Sequence, residues 1–524
     1  MKNLPEYDLL FTGGRIFGGS GWSDPVWLNG VLIIDGKIAA TGDPPNLIEI
    51  HKSSSENTLR KIALAGSLLL PGLCDGHLHL AVGGKTLELT NLSGMDKTQV
   101  KGSLRETAKR LGDKDKWLHA FNWDSSRCSL TADDLEQWLP DQLVVINQID
   151  LHGGCVSHRV LNSIGINKLS PDPSGGRIGR DSNGKPNGLL YESAIDPVRM
   201  AVPDPTPDDI QKNILRGQDY LIQKGVTAVS EVLNPNTEDI YRELDKNGLL
   251  HLQVDAWQRF EEWDWKTPPT PSGNRFQLHT LKAFLDGSFG SRTASLNTPY
   301  EDQPQNCGTL FMSDRDLTDL VMSSNNAGWK LALHAIGDKS VQQAIRVLGK
   351  LPHPDIGKHR IEHMQLLLPQ DVSSFAKTDL TASIQPVHLI DDQLWLANAI
   401  GKSRTRDSSI WQSLYENGVT LVIGSDWPVA SPDPLLNIHA SINRCGFGRG
   451  PNLNDNPKEV LLPATAIRAA SHGWAEAASL SHRRGSITVG LDADFTVVGG
   501  MPEVLTDWSR AVVEMTVCGG KLID

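Results

Sequence analysis

The feature that most constrains this chain is a rhythm between residues 67 and 425. Short apolar runs alternate with helical segments, and several runs stop at a histidine, lysine or aspartate. Such alternation marks a parallel α/β architecture. Runs at 67–79, 117–124, 144–150, 226–232, 278–286, 329–336, 360–363, 382–387 and 420–425 read as strands, with helices at 97–111, 210–224, 340–348 and 408–417. That is nine candidates for an eight-stranded barrel, and the surplus falls between 117 and 150. Residues from about 125 to 205, rich in Gly, Pro, Asp and Asn, read as an insertion over the barrel mouth.

The two ends read differently from the middle. Asp35-Gly36 interrupts an apolar run near the start, and Gly519-Gly520 does so near the end, both as hairpin turns. The expected fold is therefore α/β: a TIM-like (β/α)8 barrel over 67–477, with a small composite β-sandwich from 1–66 plus 478–524. A net charge of −12 without a long basic run argues against nucleic acid and anionic membrane as partners. No segment approaches the roughly 20 apolar residues that span a bilayer, and Glu6 and Asp8 fall where a signal peptide needs an apolar run. Six cysteines without a CxxC pair indicate neither a zinc knuckle nor a disulfide framework, so a reducing cytoplasm is the expected location.

In a parallel barrel, chemistry sits at the C-terminal strand ends. Ser67-Leu68-Leu69-Leu70-Pro71-Gly72-Leu73 leads into Asp75-Gly76-His77-Leu78-His79. Residues two apart on a strand share a face, so His77 and His79 can share a metal ion; two core histidines bonded to backbone would look alike. Lys282 lies in the apolar run 278–285. Burial favours its neutral amine, which can add carbon dioxide to give an anionic carbamate able to bridge two cations; a lysine paired with an acid is the other reading. His334, His363 and Asp426 each close a further run, though Asp426 before Pro428 could also cap a helix. With two divalent ions, the carbamate, Asp426 and a hydroxide leave a net positive charge to polarise a carbonyl.

At these residues the chain resembles the amidohydrolase superfamily, and within it the amidohydrolase-3 group that includes YtcJ-like proteins and N-substituted formamide deformylases. The shared stretches run in order: Asp35-Gly36-Lys37-Ile38, Leu70 to His79, Lys282 to Ser288, His334 to Asp338, Arg360 to His363, Gln385 to His388, Gly424 to Val429 and Gly485 to Phe495. The resemblance implies two divalent metals, zinc foremost, and an N6-carboxylated Lys282 bridging both. His77, His79 and Asp426 would bind the more buried ion, His334 and His363 the second. The group's Arg-x-Asp-Gly-His stretch and following Asn are replaced here by Gln148-Ile149-Asp150-Leu151-His152 and Ser157.

The expected reaction is cleavage of a carbon–nitrogen bond other than a peptide bond, in an N-formyl, N-acyl or cyclic amide, by a metal-activated hydroxide. Asp426 is the expected base and then acid. His152 and His388 are candidates to polarise the carbonyl or hold the oxyanion. Trp123, Phe289, Arg292 and Trp427 follow strand ends and are candidate substrate contacts, Arg292 for an anionic substrate or for a loop salt bridge. The partner is a small amide-type molecule, and a homodimer is expected by similarity. A mononuclear-metal deaminase of a heterocycle and a non-catalytic barrel are the alternatives; Lys282 argues against the first and the filled ligand set against the second.

Overall fold

The structure is a computed structural model that describes residues 7–19, 21–22, 24–125, 127–148, 153–352, 357–393, 395–448, 456–500 and 505–523. The chain forms two compact units, Met1–Gly84 with Ile210–Asp524, and Lys85–Asp209. No helix among the described residues is long and apolar enough to cross a membrane.

The first unit holds a parallel eight-stranded barrel. Its strands are β1 (Leu73–Leu78), β2 (Val226–Val232), β3 (Gln253–Arg259), β4 (Phe276–Phe284), β5 (Lys330–Ala335), β6 (Arg360–His363), β7 (Thr381–Ile384) and β8 (Leu421–Ile423), paired in that order. At their C-terminal ends β1 and β8 meet: Asp426 N–H donates to His77 at 2.6 Å, and His79 N–H to Trp427 at 2.8 Å. All of β1 and β2 is buried, the polar Asp75, His77, Thr227, Ser230 and Glu231 included.

The barrel departs from the strand pattern expected of the sequence in three places. The run 67–79 is two strands, because Pro71 offers no N–H and Gly72 turns to donate to Asp494 at 2.8 Å. A Cβ on Gly72 would come 2.2 Å from Thr227, so the chain can cross there only without one. Leu68–Pro71 joins the terminal sheet, antiparallel to Phe495–Gly499. Runs 117–124 and 144–150 lie in the second unit, outside the barrel. Their place is taken by β3, which the sequence reading missed.

β3 was hidden by its polar residues, which are buried by partners distant in sequence. Asp255 accepts from Gln277 Nε2 at 2.9 Å, Ser230 Oγ at 3.3 Å and Trp257 Nε1 at 3.0 Å. Ser230 Oγ accepts from Trp474 Nε1 at 3.0 Å, and Gln277 Nε2 also reaches the Ala478 carbonyl at 2.8 Å. Lys330 Nζ donates to the Ala477 carbonyl at 2.7 Å and to Ser479 Oγ at 3.2 Å. These groups close the N-terminal end of the barrel.

Both termini contribute to the remaining sheet of this unit, in the order Lys521–Ile523, Val512–Cys518, Phe495–Gly499, Leu68–Pro71, Tyr7–Gly18, Val26–Ile34, Lys37–Thr41. The long strand Tyr7–Gly18 pairs with Thr58–Ala63 through its first half and with Leu68–Pro71 through its second, shifting register between Thr12 and Ile16. That bend folds the sheet into a sandwich over Leu9, Phe11, Ile33, Leu69, Phe495 and Val497.

In the second unit, a sheet ordered Gly176–Arg180, Pro186–Glu192, Gly153–Val156, Val144–Gln148, Leu118–Trp123, Thr90–Asn91 separates two apolar clusters. The helix Lys97–Leu111 starts at a capping box formed by Asp96 and Gln99. This unit begins well before the 125–205 segment that its turn-rich composition marks.

Candidate metal centre

Six side chains converge at the C-terminal end of the barrel, from β1, β4, β5 and β6 and from the loop after β8. Asp426 Oδ1 lies 3.6 Å from His77 Nε2 and 3.3 Å from His79 Nε2. Lys282 Nζ lies 3.5 Å from His77 Nε2. One ligand atom from each of His77, His363 and Asp426 falls within 4.8 Å of the others. The His363 ring centroid is 5.0 Å from that of His77 and 4.4 Å from that of His334. Two of these donors hold left-handed backbone, His363 at φ 72° and Asp426 at φ 58°. Such a conformation costs a non-glycine residue about 1–3 kcal/mol, and the strand-end hydrogen bonds hold it in place.

The electrostatics leave lone pairs rather than N–H⁺ groups. Burial, reinforced by the Lys282 charge, pushes His77 down to about 4 and His334 to about 3. Burial and the neighbouring imidazoles hold His363 well below the imidazole range. Burial also brings Lys282 down to about 8, against the pull of Glu362 and Asp426, so a neutral amine is accessible near physiological pH. For Asp426, burial alone favours the acid form; the His77, His79 and His388 imidazoles outweigh it and keep the carboxylate ionised.

Three imidazoles held neutral, the His79 ring, one carboxylate and an amine form a donor set that suits divalent transition metals. His363 Nδ1 is buried with no hydrogen-bond partner among the described residues, a lone pair that a cation would satisfy. His334 Nε2 lies 3.1 Å from the Gly287 carbonyl, leaving Nδ1 as its free acceptor.

A layer of buried charge behind the donors went unread in the sequence. Glu362 Oε2 lies 2.6 Å from His77 Nδ1 and fixes Nε2 as the nitrogen with the free lone pair. Arg360 grips Glu362, donates to the Gly76 carbonyl at 2.9 Å and sits over the Trp257 ring. Burial favours the acid form of Glu362, but Arg360 and His77 together hold it well below the carboxylate range. Asp75 accepts from Ser425 N–H at 2.9 Å, Ser425 Oγ at 2.5 Å and His77 N–H at 3.1 Å, tying β1 to β8; burial pushes its carboxyl up to about 7. Asp286 accepts from the N–H groups of Ser295, Ile336 and Gly337 and fixes the loop after β4. The signal for this layer was a charged residue inside an apolar strand, as in Arg360-Ile361-Glu362-His363.

The remaining predicted residues divide. His388 lies at the centre: its Nε2 is 3.1 Å from the Ser425 carbonyl and its ring 6.2 Å from His363. His152 lies outside the described residues. Trp123 is 2% exposed in the core of the second unit, its indole N–H donating to the Cys128 carbonyl at 2.7 Å. Phe289 is buried against Tyr300, Leu366 and Leu396. Trp427 is buried and stacks on Tyr220 at 5.7 Å. Arg292 is held by Asp302 through Nε and Nη2 and donates to the Phe289 and Gly290 carbonyls, the loop salt bridge among its two readings. Ser157, at the place of the group's Asn, donates to the Gln142 carbonyl at 2.7 Å and accepts from Val144 N–H.

Comparison with known proteins adds a family to this geometry. The model of the Amidohydrolase family matches residues 60–524. The chain is 30% identical to "Putative amidohydrolase YtcJ" of Bacillus subtilis (strain 168), over 94% of this chain and 95% of that one. It is 21% identical to an N-substituted formamide deformylase of Arthrobacter pascens, over 90% of each. Among solved structures, an uncharacterized metal-dependent hydrolase from Pyrococcus furiosus superposes with a TM-score of 0.78 at 23% identity, covering 96% of this chain and all of that one.

Proposed function

The chain belongs to the amidohydrolase family, and on that premise we propose that it hydrolyses a carbon–nitrogen bond of an N-formyl, N-acyl or cyclic amide with two divalent ions, zinc foremost. The observation that carries this reading is the convergence of His77, His79, Lys282, His334, His363 and Asp426, with the His363 Nδ1 lone pair left without a partner. His77, His79 and Asp426 would hold one ion, His334 and His363 the other. Lys282, as a neutral amine, would add carbon dioxide and lose a proton, and the resulting carbamate would supply further anionic oxygen donors to the ions. The ions supply Lewis acidity toward the amide carbonyl and toward water.

The chain's own groups handle the protons. Asp426, ionised and anchored between His77 and His79, accepts a proton from the attacking water and returns it to the leaving nitrogen. His388, whose Nε2–H is taken by the Ser425 carbonyl, would hold the developing oxyanion through Nδ1–H as an imidazolium. The test is metal analysis of the chelator-treated and zinc-reconstituted protein, followed by a screen of N-formyl, N-acyl and cyclic amides that reads released amine. Two zinc ions per chain with amine release support the reading. A protein that takes up zinc and releases no amine from any of these classes overturns it.

A further inference from the structure

Among the charged groups near the metal centre, Arg259 stands apart. It is the last residue of β3, at the C-terminal end of the barrel where the donors gather. It pairs in register with Lys282 on β4. It is also two residues from Trp257, whose buried ring lies 5.2 Å from the His77 ring and 5.8 Å from Lys282 Nζ. Residues two apart on a strand share a face, and Arg259 keeps extended backbone at φ −68° and ψ 134°. Both relations put its side chain on the inner face, beside the donors.

Three other guanidiniums of the barrel meet carboxylates. Arg360 has Glu362, Arg292 has Asp302, and Arg346 has Asp314. Among the described residues, no hydrogen bond or ion pair reaches the Arg259 guanidinium, and its Nε is buried without a partner. Glu262 is near enough to feel its charge but not to pair with it. Lys282 beside it is a potential cation, not a counter-charge. A planar fork of five N–H donors, placed at the lip of a reaction centre and matched by nothing among the described residues, is complementary to a carboxylate.

We propose that Arg259 binds a carboxylate of the substrate, so that the preferred substrates are N-acyl or N-formyl compounds bearing an acid group near the scissile amide. This deepens the amide-hydrolase reading and rests on it for the reaction, though not for the binding. It also replaces Arg292 as the anion-binding residue, since Arg292 is saturated by Asp302.

The test compares N-benzoylglycine with its neutral carboxamide on the zinc-reconstituted protein, wild type and Arg259→Met, by calorimetric affinity and by kcat/KM wherever amine is released. Wild type should favour the carboxylate, and Arg259→Met should weaken it about 10- to 100-fold while leaving the carboxamide unchanged. Arg259→Lys, which keeps charge and bulk but not the fork, should fall between and carries the test if the Met variant does not fold. A wild type that does not discriminate the two ligands overturns the proposal. So do equal losses for both ligands accompanied by loss of zinc, which would assign Arg259 to supporting Lys282. If carboxylate affinity alone falls but neither compound is hydrolysed, Arg259 keeps its role and the amide-hydrolase reading fails.

Discussion

The two ends of the barrel bury comparable amounts of polar chemistry and treat it in opposite ways. At the N-terminal end, Asp255 takes three donors, Ser230 and Gln277 are each bonded twice, and Lys330 is held by Ala477 and Ser479. Gln253 Oε1, at the edge of that group, is an acceptor without a partner among the described residues. At the C-terminal end the groups face one another with like character. Neutral imidazoles crowd an amine, a buried nitrogen of His363 is unpartnered, and so is the guanidinium of Arg259. A buried polar group without a partner costs about 1–3 kcal/mol. An end that keeps several is shaped for something that arrives; an end that satisfies nearly all is shaped for stability. Arg360 and Glu362 lie between, bonded to each other and, through His77, to the upper centre.

This contrast breaks if a substitution at one end has the effect expected of the other. The largest effect belongs to Asp426→Asn, which should reduce kcat by on the order of 10³-fold while the unfolding midpoint moves little; near-normal turnover would remove Asp426 from proton transfer. Next is Asp255→Ala at the lower end. Three donors lose their acceptor and Lys330 loses a nearby carboxylate, so denaturant unfolding should show a loss of about 3 kcal/mol, with zinc stoichiometry unchanged. A zinc-depleted but equally stable Asp255→Ala protein would mean the two ends are not separable. Glu362→Gln should be smaller and mixed. Zinc affinity, read by competition with a chromogenic chelator, should fall about 10- to 100-fold. Some stability should go with it, because Arg360 loses its counter-charge.

The contrast also explains what was legible in the sequence. The upper donors end apolar runs, so His77, His79, Lys282, His334, His363 and Asp426 stand out against their own strands. The lower end alternates polar and apolar residues in Gln253–Arg259, and its burial depends on Gln277, Trp474 and Ala478, which no local pattern connects to it. β3 was therefore missed, and two runs of the second unit, equally apolar, filled the count. Glu362 was hidden for the same reason, since its partner His77 lies 285 residues away. The two arginines failed in opposite directions. Arg292 sits in a loop rich in polar residues, and only the fold shows that Asp302 takes its charge. Arg259 has no motif around it, and only strand register places it beside Lys282.

The smallest predicted effect separates the ends by pH. In the metal-free protein, His77 titrates near 4 when folded and near the ordinary imidazole value of 6.5 when unfolded. Between those values the unfolded chain binds more protons, so the contribution of His77 to stability is full above about 6.5 and is lost as pH falls toward 4. Asp75, raised to about 7, acts with the opposite sign in that window, so the net wild-type slope is shallow. The informative quantity is the difference made by His77→Gln, which should remove up to about 1.4 kcal/mol per pH unit of positive slope on the acid side. Lys330 at the lower end is also depressed by burial, from an ordinary value of 10.5. There too the unfolded chain binds more protons, but on the alkaline side, so Lys330→Met should flatten the rise of stability as pH approaches 10.5. Unfolding free energies measured in denaturant across pH 4 to 10.5 should thus show one variant diverging from wild type only in acid and the other only in alkali. Curves that run parallel to wild type throughout would mean that the fold depresses neither group, and the lone pairs assigned to the upper end would lose their physical basis.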